Sequence, residues 1–109
     1  MANTFKLKTK ANVGVTTVGI YTAPAATTTV VIGITMANTS GSGVNVGVGI
    51  TRAGTTEDVK LLKNAPIPSG SSLEFMAGNK VVLQTTDTLT VDSDTNNSVD
   101  AALTIMEIT

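Results

Sequence analysis

The stretch DSDTNN, residues 92–97, brings together the side-chain types that bind a hard cation. Asp92 and Asp94 supply carboxylates, and their neighbours supply hydroxyl and amide oxygens, as at the start of a calcium-binding loop. The EF-hand loop then needs glycine at its sixth position and glutamate at its twelfth, where this sequence has Asn97 and Leu103. We therefore predict a polar hairpin loop and no metal site.

A pair of carboxylates can act as general acid and base, as in glycoside cleavage, and Asp87 with Glu74 or Asp92 has the required residue types. The sequence offers no aromatic platform for a sugar, however, and an aspartate in a turn more often bonds its own backbone. Because histidine and cysteine are both absent from the sequence, imidazole bases, catalytic triads and disulfides are excluded. We predict that the protein is not an enzyme and holds no cofactor.

Basic residues and glycines suggest two further kinds of site. Lys6, Lys8 and Lys10 alternate as phosphate-binding residues would, but no aromatic or arginine side chain is interleaved, and the net charge is −1. The glycines between residues 33 and 54 do not form a phosphate-binding loop, since they lie within strands and no G-x-x-x-x-G-K occurs. We predict no nucleic-acid partner, and we expect the lysines to make salt contacts between subunits.

Charge is divided unevenly along the chain. Residues 1–56 contain four basic residues and no acid, whereas residues 57–109 contain eight acids and three lysines. This asymmetry predicts a basic and an acidic end, which suits contact between neighbouring copies. An accident of the solvated surface explains it equally well.

The elements that must position these residues are predicted to be strands. A composition rich in threonine, valine and glycine favours β-structure, and turn signals recur every eight to twelve residues. We predict one domain over residues 1–109, an antiparallel β-sandwich or jelly-roll-like barrel of about eight strands, with residues 1–10 as an edge strand or arm. The uncharged run from Ala11 to Ile50 is broken by Gly, Pro, Asn and Ser, and no signal peptide is visible, so no membrane partner is expected.

Two strands in the first half are predicted to form a hairpin. The first presents its apolar residues on one face and ends at the turn TSGSG; these residues are Val30, Ile32, Ile34 and Met36. The second, VNVGVGI, has the apolar face Val44, Val46, Val48 and Ile50.

The other face of VNVGVGI carries Asn45, Gly47, Gly49 and Thr51, which leave it nearly bare. Another part of the chain, a neighbouring subunit or water can lie against it. We favour contact with another protein, because small residues lose little side-chain entropy at an interface. Packing within the chain explains the glycines themselves equally well. On the interface hypothesis, Gly47→Val or Gly49→Val disrupts assembly more than folding.

The last strand, VDAALTIMEI, is apolar on both faces. One face carries Val99, Ala101, Leu103 and Ile105, and the other carries Ala102, Met106 and Ile108. Such a strand is central in a sandwich or lies at a subunit contact. The predicted interface residues are Lys6, Lys8, Lys10, Asn45, Gly47, Gly49, Thr51, Met106 and Ile108.

Residues 66–108 resemble the C-terminal half of small virion structural proteins of tailed bacteriophages, including cyanobacterial ones. The stretches that carry the resemblance are IPSGSSLEF, GNKVVLQTTDTLTV and the closing VDAALTIMEI. The resemblance implies a β-sandwich on the capsid surface or at the neck or tail, arranged symmetrically with its neighbours. It supplies no catalytic residues.

We therefore predict a non-enzymatic virion protein, made in the host cytoplasm, that decorates or cements the capsid by binding the head surface as an oligomer. A trimer is favoured because it would match the local three-fold sites of a capsid. The predicted partners are further copies of the chain and the major capsid protein or another virion protein. The alternatives are a neck- or tail-associated protein, or a receptor- or carbohydrate-binding module for which Tyr21 is the one candidate exposed aromatic residue.

Overall fold

The computed structural model describes residues 3–52, 57–75 and 81–109, and these form nine β-strands and no helix. The strands are β1 (Asn3–Val13), β2 (Val18–Thr22), β3 (Thr28–Asn38), β4 (Val44–Thr51), β5 (Asp58–Ile67), β6 (Ser72–Phe75), β7 (Val81–Leu83), β8 (Thr88–Ser93) and β9 (Val99–Ile108). The predicted all-β class is confirmed.

The strands form two antiparallel sheets. The first has the order β1-β9-β3-β6, with β7 also paired with β3, and the second has the order β2-β8-β4-β5. β1 thus pairs with β9, β2 with β8, β3 with β6 and β7, and β4 with β5. Each strand of the first half therefore pairs with a strand of the second half, in nested order around the β4–β5 connection. This nesting is the jelly-roll topology, in which β6 and β7 share one edge position.

The core lies between the inner faces of the two sheets. The apolar face predicted for β4 is buried, as are Leu89 and Val91 of β8 and the face of β9 that begins at Val99, because alternate side chains of a strand point to the same face. The largest fully buried side chains are Ile34, Met36, Ile67, Leu83, Leu89, Leu103, Ile105, Val13, Val31, Val46, Val48 and Val91.

The prediction that β3 and β4 form a hairpin is wrong. β3 belongs to the first sheet and β4 to the second, so their apolar faces meet across the core rather than lying side by side. The turn between them is held by the buried side chain of Asn38, whose Nδ2 donates to the carbonyls of Ser42 and Ile67 at 2.8 and 2.9 Å. Its Oδ1 accepts from the backbone N–H of Ser40 at 2.9 Å.

The predicted common face of Val30, Ile32, Ile34 and Met36 is also wrong in its first half. The ladder between β3 and β9 shifts between Val31 and Gly33, where β3 contains one extra residue. Because a bulge changes the side-chain alternation, Val31 is buried before it and Ile34 after it. Val30 and Ile32 are therefore only half-buried.

The uneven charges do not form a basic and an acidic end. Nesting places each strand of the first half beside a strand of the second half. The Lys6 ammonium lies 2.9 Å from Glu107 Oε1, and Arg52 Nε lies 3.1 Å from Asp87 Oδ2. Each ion pair joins a base from one half to an acid from the other.

The chain itself occupies the space above the glycines of β4. A Cβ atom on Gly47 would lie 2.5 Å from Asp92 Oδ1, and one on Gly49 would lie 2.9 Å from the carbonyl oxygen of Val59. Both neighbours follow from the sheet order, in which β8 and the bulged strand β5 flank β4. Glycine is therefore required at Gly49, where the close neighbour is a backbone carbonyl, whereas the close neighbour of Gly47 is the end of the Asp92 side chain.

We expect Gly49→Ala to destabilise the folded monomer by about 1–3 kcal/mol, because the new methyl group overlaps a backbone carbonyl that β5 cannot easily move. Urea unfolding followed by circular dichroism measures the effect. Gly41→Ala is the matched control, since no atom lies within 4 Å of its added Cβ. Equal midpoints for the two variants would contradict this explanation.

Candidate interaction surface

The outer face of the first sheet carries a row of apolar side chains that crosses four strands. Phe5 pairs with Met106, Met106 pairs with Val30, and Val30 pairs with Val82. Directly opposed residues in a sheet point to the same side, so the four side chains are neighbours. None of them is in the core: Phe5 is 68% exposed and Val82 is 49% exposed.

Leu7 and Ile108 extend this row along β1 and β9, and Leu7 is 65% exposed. We call these six residues the apolar patch: Phe5, Leu7, Val30, Val82, Met106 and Ile108. Among the described residues, three of the five exposed large hydrophobic side chains belong to it. A contiguous exposed apolar surface of this kind is typical of a protein–protein contact.

The other half of the same sheet face is built from small residues. Gly33, Thr35, Ala37 and Ala102 face outward there, and we call them the small-residue basin. Two shallow depressions of about 300 Å³ and 350 Å³ lie over this region, and Thr35 and Ala102 line both. A single flat sheet face thus has large side chains at one end and a depression at the other.

The outer face of the second sheet is polar. It carries Asn45 and Thr51 from β4, with Thr88, Thr90 and Asp92 from β8 beside them. Several of these groups already have partners within the chain, for example Thr51 Oγ1, which donates to Asp58 Oδ1 at 3.0 Å.

The predicted interface residues therefore do not form one surface. Met106 and Ile108 lie on the outer face of the first sheet, whereas Asn45, Gly47, Gly49 and Thr51 lie on the opposite side of the sandwich. Sequence reasoning missed the other apolar patch residues, which are Phe5, Leu7, Val30 and Val82. For Phe5 and Leu7, the alternating pattern of β1 was the available signal, but alternation does not say which face of the strand is outward.

The three lysines of β1 point to the core side of the first sheet. Lys6, Lys8 and Lys10 are paired with the buried residues Ile105, Leu103 and Ala101. β1 is an edge strand, so the lysine stems cover the margin of the core while their ammonium groups reach solvent. Charges that point inward at an edge also oppose the addition of a foreign strand.

Lys6 meets a buried hydrogen-bond network. Its ammonium contacts Glu107 Oε1, and the Tyr21 hydroxyl donates to Glu107 Oε2 at 2.6 Å. The same hydroxyl lies 2.8 Å from Thr29 Oγ1. Glu107 continues the inward series of β9, so its position in phase with Leu103 and Ile105 is the sequence signal for its burial.

This network perturbs both titratable groups. The bonds donated by Tyr21 and Lys6 lower the pKa of Glu107 below its usual value, and burial opposes them. Burial, reinforced by the bond to Glu107, raises the pKa of Tyr21 to about 12. The carboxylate is therefore ionised and the phenol neutral near pH 7, so the hydroxyl donates to the carboxylate.

The acidic residues considered for catalysis and metal binding have structural partners. Asp87 Oδ2 accepts from the backbone N–H of Gln84 at 3.0 Å, which confirms the turn interpretation, and Asp87 also pairs with Arg52. Asp94 Oδ1 accepts from the N–H of Asn45 at 3.1 Å. The 92–97 segment crosses between sheets rather than closing a hairpin, which corrects that prediction. The described residues contain no acidic cluster able to hold a metal ion.

Two further predictions concern Tyr21 and a membrane partner. Tyr21, predicted as an exposed aromatic residue for ligand binding, is buried with its ring against the core. No helix in the described part of the chain is long and apolar enough to cross a membrane.

No protein-family model and no curated protein sequence matches the chain. Solved viral structures are similar to it. The D431N mutant VP2 protein of infectious bursal disease virus, from derived T=1 particles, matches with a TM-score of 0.61 and 16% identity over 96% of this chain. The T13 particle of that virus matches with a TM-score of 0.59 and 15% identity, also over 96%. This chain spans about a third of those proteins, 31% and 30%.

A protein of the disulfide-linked pili that form Bacillus endospore appendages is also similar. Its TM-score is 0.57 at 15% identity, and the match covers 99% of this chain and 87% of that one. At these identities the likeness shows a shared fold, which the jelly-roll strand order had already indicated.

We expect Glu107→Gln to lower the free energy of unfolding at pH 7 by about 1–3 kcal/mol, because a charge-assisted bond from Tyr21 and the Lys6 ion pair are both weakened. A carboxyl whose folded-state pKa is lowered contributes stability above its usual pKa and loses it as the pH falls through the folded-state value. The difference from wild type should therefore shrink on acidification.

Urea unfolding at pH 7 and at strongly acidic pH measures this difference. Glu74→Gln is the control, since Glu74 is exposed on β6, and its cost should stay within about 0.5 kcal/mol. If Glu107→Gln lowers the free energy of unfolding equally at both pH values, the charge of the Glu107 carboxylate contributes nothing to stability.

Proposed function

We propose that the protein is a non-enzymatic structural component of a virion, specifically a decoration or cement protein that coats the head surface as a homo-oligomer. The observation that carries this proposal is the apolar patch on the outer face of the first sheet. Exposed side chains such as Phe5 and Leu7 are unfavourable in water, and each gains about 1.5–3 kcal/mol when fully buried. An assembled particle provides the surface that buries them.

The sheet edges support assembly through faces rather than through strand addition. β1 has its three inward lysines, β5 has two bulges against β4, and β2 is only five residues long with a register shift of its own. The fourth edge is divided between β6 and β7. Bulged, charged, short or interrupted edges are poor templates for a further strand. The outer faces are then the surfaces left for association.

The fold is consistent with this role. Jelly rolls are common in viral capsids, and the similar VP2 structures are of a virus protein assembled into particles. Repetition over many copies would make individually modest contacts strong. The phage resemblance implies the capsid surface or the neck or tail, and we take the head surface as the site, with the major capsid protein or another virion protein as the second partner.

A filament subunit is the second candidate. It is favoured by the pilus protein, since the match covers nearly all of both chains. Those pili are disulfide-linked, whereas this chain contains no cysteine and would need non-covalent contacts. A receptor- or sugar-binding module is less well supported, because Tyr21, the aromatic residue predicted for it, is buried, and the exposed aromatic residue Phe5 belongs to the apolar patch.

Immunogold electron microscopy of virus particles that carry this gene tests the proposed location. Label distributed over the head supports a decoration protein, and label at the neck or tail supports the alternative structural role. Virions without label, together with labelled filaments, would favour the second candidate and contradict the first.

We expect the double substitution Phe5→Ser and Leu7→Ser to reduce self-association at least tenfold while leaving the monomer folded. Both side chains are exposed, so their loss removes interface area without opening a cavity in the core. Sedimentation velocity gives the dissociation constant, and circular dichroism reports the fold. The matched control is Val15→Ser, which removes a 56% exposed valine outside the apolar patch. Equal weakening by the control would show that the patch has no specific role.

A further inference from the structure

We infer that the outer face of the first sheet pairs with the same face of a second copy, with the strands of the two copies antiparallel. Met106 and Val30 in the apolar patch of each copy then sit over Ala102 and Thr35 in the small-residue basin of the other. The two-fold axis lies between the faces, perpendicular to the strands, beside Thr104. This inference rests on the self-association that is part of the proposed function, and it specifies the partner and the geometry.

The shapes of the two ends of the face are complementary. Met106 and Ala102 lie four residues apart on β9, a separation of about 13 Å at roughly 3.3 Å per residue. Thr104 lies midway between them, opposite Gly33 of β3. Rotation about an axis beside Thr104 therefore places Met106 of each copy over Ala102 of the other. On β1, the same rotation places Phe5 over Thr9.

Two face-to-face arrangements with two-fold symmetry are possible. With the axis parallel to the strands, the apolar patches of the two copies would face each other, and so would the two small-residue basins. The antiparallel arrangement fills both depressions at once. It is also isologous, so one contact occurs twice.

Charge also favours the antiparallel arrangement. The outer face carries Glu74 and Asp100 at the basin end, where Lys10 also lines a depression although it belongs to the inward series of β1. The antiparallel arrangement keeps the acids of the two copies at opposite ends of the contact, where Asp100 faces Ile108 and Glu74 faces Val82 of the other copy. An axis parallel to the strands would bring them together, and like charges facing each other oppose association.

The area of the face is also sufficient. Three strands of 10 or 11 residues, with the 4 residues of β6 and the 3 of β7 at the fourth position, give a face of roughly 600 Å² in projection at about 4.8 Å between strands and roughly 3.3 Å per residue. A standard interface buries about 800 Å² of accessible surface per partner, and a corrugated face exposes more than its projection. The whole face therefore approaches a stable contact, whereas the apolar patch alone covers about half of it. Overlap of patch with basin uses the entire face.

A substitution that enlarges a basin residue tests this geometry. Ala102→Phe adds apolar surface, so a non-specific sticky face would associate more tightly. In the inferred pair, the new ring occupies the space that Met106 of the other copy needs. We expect Ala102→Phe to raise the dimer dissociation constant at least tenfold, as measured by sedimentation equilibrium.

Rescue distinguishes a specific contact from damage to the fold. Met106→Ala alone should also weaken the dimer, whereas Ala102→Phe combined with Met106→Ala should restore it to within a few-fold of wild type. In the double variant, the introduced ring of each copy faces the shortened side chain of the other, so the space it needs is open. Thr88→Phe places the same ring on the opposite outer face and should leave the dissociation constant unchanged.

Three results would overturn the inference: a wild-type protein that is monomeric or trimeric at all concentrations, an Ala102→Phe dimer as tight as wild type, or a double variant without rescue. If the apolar patch binds a head protein instead of a second copy, the purified wild-type protein would be monomeric at all concentrations. Immunogold labelling of virions does not depend on the dimer, so failure here and failure of the proposed function are separate outcomes.

Discussion

The position of β9 in the middle of the first sheet is the constraint on which the other features depend. Its inward residues, from Val99 to Glu107, close the core and bind the buried network, while its outward residues join β1 and β3 in the apolar patch. A central strand with two apolar faces needs cover on both sides. The second sheet covers one side, and nothing within the described chain covers the other. The proposed self-association would cover this second side.

Glu107 links the core to the edge strand. It is a buried carboxylate on the inward face of β9, and such a group is tolerated only with charged or hydrogen-bonding partners. Its carboxylate contacts Lys6 of β1 and accepts a hydrogen bond from Tyr21 of β2. The Tyr21 hydroxyl in turn contacts the hydroxyl of Thr29 of β3. One network thus ties three strands to β9 and holds β1 in register. That register turns Phe5 and Leu7 outward.

Local alternation is enough to predict the class of fold and the two apolar faces of β9. It does not predict strand partners, because pairing in a jelly roll joins residues far apart in sequence, and β3 and β4 therefore lie in two sheets where a hairpin was expected. The bulge at Ile32 and the inward lysines of β1 escape prediction for a related reason: a period-two pattern fixes alternation, not which face is buried. The close approach above Gly49 depends on β5, which sequence alone does not place beside β4.

The most direct measurement of the central claim uses the absence of cysteine from the chain. Thr104→Cys introduces a single thiol beside the inferred two-fold axis, and Thr51→Cys introduces one on the opposite outer face. Treatment with a short bis-maleimide at micromolar protein concentration should convert Thr104→Cys to a covalent dimer and leave Thr51→Cys monomeric. The reverse pattern, or equal cross-linking of both variants, would show that copies do not meet through the outer face of the first sheet.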